Sequence, residues 1–245
     1  MSYDNFSKFY DLLMQNADYE KRAEYYSSIL SSYGVNKGIL LDLGCGTGTM
    51  SVLMADKGYD VIGVDSSVGM LMEARKKAFD SGKDILLLNQ SMDEIDLYGT
   101  VDATISVLDC INHLENEEMV KRTFAKVSLF TSPGGVFAFD VNTIYKHREI
   151  LADNAYIIEN DNVFCAWQNN LQKDDSVEVN LDFFEEEDGV YYRESESFTE
   201  KAYNLDDISS WLNETGFDVK NIYDDMTFDC VKANSQRAVF VAIKR

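Results

Sequence analysis

Short apolar runs alternate with segments of helical period through the first half of the chain. Ile39-Leu40-Leu41-Asp42-Leu43 is an apolar run that ends in glycines, the pattern of a parallel strand covered on both faces. From Met50 to Lys57 the apolar residues Met50, Leu53 and Met54 fall at helix spacing, and Gly58 stands where a closing left-handed residue is wanted. Val61 to Asp65 reads as a second strand and Val68 to Phe79 as a second helix. Ile85 to Leu88 gives a third strand, and Ala103 to Leu108 a fourth. Gly135 to Asp140, entered through the Pro133-Gly134-Gly135 turn, gives a fifth, with a helix from Glu115 to Phe130 before it. Strand, helix and strand at this spacing predict parallel crossovers in a sheet with helices on both faces.

Past residue 150 the period changes. Val177, Val179, Leu181 and Phe183 alternate with polar residues, the period of a half-buried strand. Glu187-Asp188-Gly189 is a hairpin turn signal, Tyr191 to Phe198 a returning strand, and Tyr156 to Gln168 one or two more. Asn204, with Asp207 three residues on, marks a helix start. The amphipathic helix through Leu205, Ile208, Trp211 and Leu212 runs to Gly216. Strands at Phe217–Tyr223 and Ala238–Ile243 then return to the parent sheet. The expected division is a main α/β domain of residues 1–150 and 204–245, whose first 30 residues form a helical lid. An antiparallel β-subdomain of residues 151–203 is inserted into it.

Composition narrows the class. With 45% hydrophobic and 12% aromatic residues over 245 positions, a sizeable core is available. No apolar stretch approaches ~18 residues, and Met1 to Asn5 lacks the basic and apolar segments of a secretory signal. The cysteines at 45, 110, 165 and 230 are widely spaced without a CxxC pair. Neither a disulfide framework nor a zinc site is expected, and a reduced cytoplasmic compartment is. A formal net charge of −21 repels phosphate backbones, so nucleic acid is a disfavoured partner and a small molecule the favoured one.

The chemistry centres on Asp42-Leu43-Gly44-Cys45-Gly46-Thr47-Gly48. Glycines at alternate positions let the backbone turn sharply and a ligand approach it closely, ahead of the free N–H groups of a helix start. Asp65 ends the next strand ~20 residues on, the distance at which a carboxylate meets ribose hydroxyls. An adenosine-containing cofactor is indicated. The dinucleotide fingerprint wants its third glycine where Thr49 stands, and Asp42 would oppose a pyrophosphate but suit an ammonium group.

Residues 39–78, with Leu-Asp-Leu-Gly-Cys-Gly-Thr-Gly and Val-Ile-Gly-Val-Asp-Ser-Ser-Val-Gly-Met-Leu, resemble the first two motifs of the Rossmann-like S-adenosylmethionine-dependent methyltransferases, in particular an uncharacterised bacterial small-molecule branch. The resemblance implies a mostly parallel seven-stranded sheet with an antiparallel last strand, and methyl transfer from the cofactor to an oxygen or nitrogen nucleophile. By position it implies that Gly44, Cys45, Gly46 and Gly48 wrap the methionine and ribose portions. Asp65 would hold the ribose, and Ser66 and Met70 would lie on the adenosine. Ser91 and Met92 would flank the adenine. Ser91 stands where the family usually has an acid, which leaves the adenine amino group to a hydroxyl, the Met92 backbone or Asp93. Tyr10, Tyr19 and Arg22 fall in the lid over the cofactor, with Arg22 a candidate for its carboxylate. The competing reading packs the tyrosines on the sheet and leaves Arg22 solvated.

Leu108 ends the fourth strand, and Asp109, Asn112 and His113 come just after it at the carboxyl edge, where ligands of open α/β sheets bind. Leu108 would border the cofactor, and Asp109, Asn112 and His113 would be the polar groups nearest the transferable methyl. An imidazole suits proton acceptance from a hydroxyl or amine; a loop-orienting histidine is the alternative. Cys110 reads as a small buried residue. Trp167, Tyr191 and Tyr192 either wall the substrate pocket or form the insertion's own core. Two other functions stay open: an NAD-dependent oxidoreductase, and a cofactor-binding regulator without catalysis.

Overall fold

The computed structural model describes residues 7–160 and 162–245. Of the segment 1–30 expected to form a lid, the structure describes the residues from 7 on, and the start from Met1 to Asn5 lies outside the described residues. Among those residues the strands form two sheets, one of seven and one of four.

The larger sheet contains β1 (Gly38–Leu43), β2 (Tyr59–Asp65), β3 (Leu86–Asn89), β4 (Val101–Ser106), β5 (Thr131–Asn142), β10 (Phe217–Asp224) and β11 (Arg237–Lys244). Their order is β10-β11-β5-β4-β1-β2-β3. β1 pairs in parallel with both β2 and β4, whereas β11 runs antiparallel to both β5 and β10. This is the expected mostly parallel sheet with an antiparallel last strand. The helices α2 (Tyr19–Ser32), α3 (Thr49–Asp56), α4 (Val68–Asp80), α5 (Glu117–Phe130) and α6 (Leu205–Glu214) cover it. Leu40, Leu41 and Leu43 are fully buried, two of them in the cluster with Phe124, Phe137 and Phe217 and the third in the cluster with Tyr26 and Ile29. Burial from both sides is why β1 is an apolar run without alternation. The chain leaves β1 toward β2 and β3, then crosses to β4 on the opposite side. This opens a crevice at the carboxyl ends of β1 and β4.

The second sheet is β6 (Ala155–Asn160), β7 (Val163–Leu171), β8 (Ser176–Glu187) and β9 (Val190–Lys201), antiparallel throughout. Asp188 (φ 53°) and Gly189 (φ 82°) make the β8–β9 turn with two left-handed residues, as the twist of a tight hairpin requires. The alternating residues Val177, Val179, Leu181 and Phe183 point to one side. There they meet α1 (Ser7–Leu13), whose Phe9 ring stacks on Phe183 at 4.6 Å. This stacking seats α1 over the crevice. Tyr191 and Tyr192 are 66% and 55% exposed at the hairpin end of β9. They belong neither to the insertion's core nor to a pocket wall, contrary to both readings of the sequence.

Other boundaries shift: β5 starts at Thr131, ahead of the expected Gly135, and takes in the expected Pro133-Gly134-Gly135 turn, and β9 runs on past Phe198 to Lys201. β4 stops at Ser106, because Leu108 (φ 66°) and Asp109 (φ 58°) are left-handed and cannot continue a strand. The Asn204 cap accepts its hydrogen bond from the Asp206 amide at 2.9 Å.

Candidate active site

Gly44 (φ +77°), Gly46 (φ +52°) and Gly48 (φ +76°) turn the chain from β1 into α3. The amides of Gly44 and Cys45 donate to the Val64 carbonyl at 2.8 and 2.9 Å, tying the loop to the end of β2. A Cβ on Gly44 would lie 2.7 Å from Cys110 Sγ, so even alanine would collide there. At Gly48 the added atom would meet Ala74 of α4 at 2.8 Å, which makes this glycine a helix-packing contact. Asp65, at the end of β2, accepts from the Gly46 amide at 2.9 Å with one oxygen and from the Ser67 amide at 2.8 Å with the other. Each carboxylate oxygen keeps acceptor capacity for a ligand.

Asp42 does not reach this space. It is 2% exposed beneath the loop, where Ser51 Oγ donates to it at 2.5 Å. Burial pushes its pKa from 3.8 up to about 6, with the Ser51 bond opposing and the Asp65 charge adding to the rise. The expectation that Asp42 meets a ligand ammonium is therefore corrected: it buttresses the loop from below. A folded-state pKa above the unfolded one means stability is present at low pH and lost as pH rises through about 4 to 6. Asp42→Asn should remove that loss. Its stability relative to wild type, measured by urea unfolding, should rise across this window by on the order of 2 kcal/mol. A gap that is flat with pH would contradict the buried-carboxyl account.

Across the crevice the backbone is strained. Two consecutive left-handed residues, Leu108 and Asp109, cost ~1–3 kcal/mol each without compensation. The compensation is Asp140, whose carboxylate accepts from the Leu108 amide at 2.9 Å and the Asp109 amide at 2.8 Å. Asp140 is fully buried and also accepts from Tyr26 Oη at 2.9 Å and from Arg237. Burial alone would raise its pKa, yet the charges of Arg237 and Arg22 hold it below the ordinary value. The turn directs Asp109 to Arg237 (2.7 Å) and Asn142 Nδ2 (3.1 Å). Burial opposes its charge too, but Arg237, Lys146 and His113 together keep it ionised well below the usual carboxylate range. The other proton of Asn142 Nδ2 goes to Glu200 at 3.0 Å, and Lys146 donates to Asn142 Oδ1 at 2.8 Å. His113 lies against the Phe198 ring at 5.2 Å. Asp109, His113 and Glu200 bring polar atoms all within 4.8 Å of one another, a spacing that can hold a cation, whether a metal ion or an ammonium group.

A cavity of about 340 Å³ joins the two ends, a size typical of small-molecule sites. Gly44, Gly46, Asp65, Ser66, Met70 and Met92 line one end, and Leu108, Asp109, His113, Asn142 and Glu200 the other. Tyr10 and Leu13 of α1 and Met14 just after it also line the cavity, as do Trp167, Leu181 and Phe198 of the second sheet.

A family model described as a methyltransferase domain matches residues 40–135, which run from β1 into β5 and include the glycine loop, Asp65 and His113. A protein of Geobacillus sp. (strain WCH70), named as a methyltransferase, is 34% identical over 248 residues covering all of both chains. The chain belongs to the S-adenosylmethionine-dependent methyltransferases. The crystal structure of such a methyltransferase from Clostridium acetobutylicum superposes with a TM-score of 0.90 at 28% identity, over 99% of this chain and 98% of that one. A sugar N-methyltransferase, KedS8 of Streptoalloteichus sp., shares the fold at a TM-score of 0.81 and 18% identity, over 96% and 92% of the two chains. The cofactor is thus S-adenosylmethionine, and the open glycine backbone beside the Asp65 carboxylate suits its adenosyl group. No helix among the described residues is long and apolar enough to cross a membrane.

In this methyltransferase, five residues expected at the cofactor lie outside the cavity lining. Cys45 is buried under the loop, Gly48 packs on α4, and Ser91 is hydrogen-bonded to Asp93. Tyr19 bonds to Tyr10 and packs with the α2 core. Arg22 is neither solvated nor in the cavity: its guanidinium takes Asp225 with two bonds, at 2.9 and 3.1 Å. Cys110 lines the cavity with a thiol that burial keeps protonated, as a small packing residue rather than a nucleophile. Sequence reasoning missed Asn142, Lys146, Glu200 and Arg237. A signal existed for two of them. Asn142 ends β5 at the carboxyl edge, and the strand period puts Glu200 on the same inward face as Phe198.

Proposed function

We propose that this methyltransferase methylates the amine of a small-molecule acceptor, with Gly44, Gly46, Asp65, Ser66, Met70 and Met92 holding the cofactor. Bound S-adenosylmethionine supplies an electrophilic methyl group on its sulfonium. The observation that carries the amine reading is the group Asp109, His113 and Glu200 in the cavity wall. Asp109 is held ionised and so attracts an ammonium ion, but for the same reason it is a poor base at neutral pH. The imidazole of His113 takes the proton instead, freeing the nitrogen lone pair. Trp167, Leu181 and Phe198 exclude water and fix the acceptor's approach, and such alignment can contribute ~7–11 kcal/mol. The name of KedS8 is consistent with a nitrogen acceptor.

The test is incubation with methyl-labelled cofactor and a metabolite extract. Label in a base-extractable amine supports the reading; label in an alkali-labile ester, in an ether, or in no product rejects it. The cofactor assignment has its own test. Asp65→Ala should weaken S-adenosylhomocysteine binding by at least ~10-fold in calorimetry, since hydrogen bonds to a charged group are worth ~1.5–3 kcal/mol each. Unchanged affinity would remove Asp65 from the cofactor site.

A further inference from the structure

A second chamber, of about 620 Å³, adjoins the cavity and shares Leu13, Met14, Leu108, Lys146 and Arg237 with it. It opens to solvent past Asn16, Lys232, Asn234 and Gln236, all exposed. The two spaces have opposite electrostatics. The cavity lining carries Asp65, Asp109 and Glu200 against Lys146 and Arg237. The chamber lining carries Arg22, Lys146, Lys232 and Arg237 against Asp224 and Asp225. Four of the 22 basic residues thus converge on one hollow of a chain whose net charge is −21.

The pairing inside the chamber sharpens the contrast. Asp225 is taken up by Arg22, and Arg237 is engaged by Asp109 and Asp140. Lys146 donates to a neutral amide oxygen, and Lys232 forms no ion pair among the described residues. Within the chamber lining, Asp224 is thus the one carboxylate not taken up by an arginine, while Asp109, Glu200 and Asp140 act on Lys146 from outside that lining. Burial and the neighbouring Arg237 lower the pKa of Lys146 in spite of the charges of Asp109, Glu200 and Asp140, so this buried ammonium still gains from a further anion beside it.

We propose that the second chamber is a subsite for an oxyanion, a phosphate or carboxylate, carried by the acceptor. The acceptor is then a small molecule with an amine at one end, held at Asp109 and His113, and a negative group at the other. That group extends past Lys146 and Arg237 toward Lys232. The chamber's surplus of positive charge also draws an anionic acceptor toward a protein that otherwise repels it. This inference rests on the methyltransferase reading for its acceptor, though not for the anion site itself.

The same chemistry has a second source, the carboxylate of the cofactor, and the experiment separates the two. Full-length protein is titrated with S-adenosylhomocysteine and with 5′-methylthioadenosine, which lacks the amino-acid end. Inorganic pyrophosphate is then titrated into protein saturated with S-adenosylhomocysteine. Pyrophosphate should bind the loaded wild type, and Lys232→Glu, at an exposed position, should weaken it about tenfold with cofactor affinity unchanged. Absence of pyrophosphate heat, or equal affinity in the variant, overturns the subsite. Pyrophosphate that competes with S-adenosylhomocysteine but not with 5′-methylthioadenosine overturns it in favour of the cofactor carboxylate. Failure of S-adenosylhomocysteine to bind would count against the cofactor reading, and pyrophosphate titration of the free protein would still decide the chamber.

Discussion

Asp140→Ala should lower the unfolding free energy by about 3–5 kcal/mol, the cost of removing one partner from a buried charge pair. The residue is fully buried and is the common acceptor for the Leu108 and Asp109 amides, Tyr26 Oη and Arg237. Its loss leaves a buried guanidinium short of an anion, and it releases two left-handed residues that carry strain of their own. Asp140→Asn keeps the shape and one acceptor oxygen, so it should fall between the alanine variant and wild type. Urea unfolding followed by circular dichroism measures both. A loss below about 1 kcal/mol for the alanine variant would mean that the turn holds itself, and that Asp140 does not position Asp109. The interaction is also pH-dependent. A carboxylate with a depressed folded pKa contributes stability above its unfolded value and loses it as pH falls below, so the gap between wild type and Asp140→Asn should shrink in acid.

The second large effect is on rate. His113→Gln should reduce kcat by about 10²–10⁴, the usual contribution of a general base, with S-adenosylhomocysteine affinity within twofold of wild type. The glutamine keeps hydrogen-bonding capacity and much of the contact with Phe198 but cannot take a proton at neutral pH. A base role also predicts that the acid limb of the kcat profile is lost in the variant, which a merely structural histidine would leave in place. Asp109→Asn should act differently, raising KM for the acceptor because it removes charge from the site without removing the base. If His113→Gln retained the acid limb and a kcat within threefold of wild type, proton removal would have to be assigned elsewhere in the cavity.

What could be read from the sequence is what neighbouring residues decide. The strands through Leu43, Asp65 and Asp140 show in their local apolar pattern, since a strand buried on both faces needs apolar residues at every position. The glycine loop and Asp65 lie within one βαβ unit, and the hydrogen bond from Gly46 to Asp65 spans 19 residues. The Asp188-Gly189 hairpin and the Asn204 cap are likewise local, set by backbone conformations that few residues adopt.

The end of the cavity lined by Asp109, Asn142 and Glu200 was decided by tertiary structure. Asn142 meets Glu200 across 58 residues, Asp140 meets Arg237 across 97, and Arg22 meets Asp225 across 203. No spacing rule links such pairs, because partners in a buried ionic network are chosen by which strands become neighbours in the sheet. Arg22 illustrates the point: its position suggested a ligand contact, but packing α2 against the β10–β11 loop supplied a nearer carboxylate. Asp42 shows the same for burial. Its charge is evident in the sequence, whereas its distance from water, and so its protonation, follows only from the closing of α3 over the sheet. The chain by itself determined the fold and the glycine loop with its Asp65; the charge at the far end of the cavity came from contacts between residues far apart along it, which exist only once the sheet has assembled.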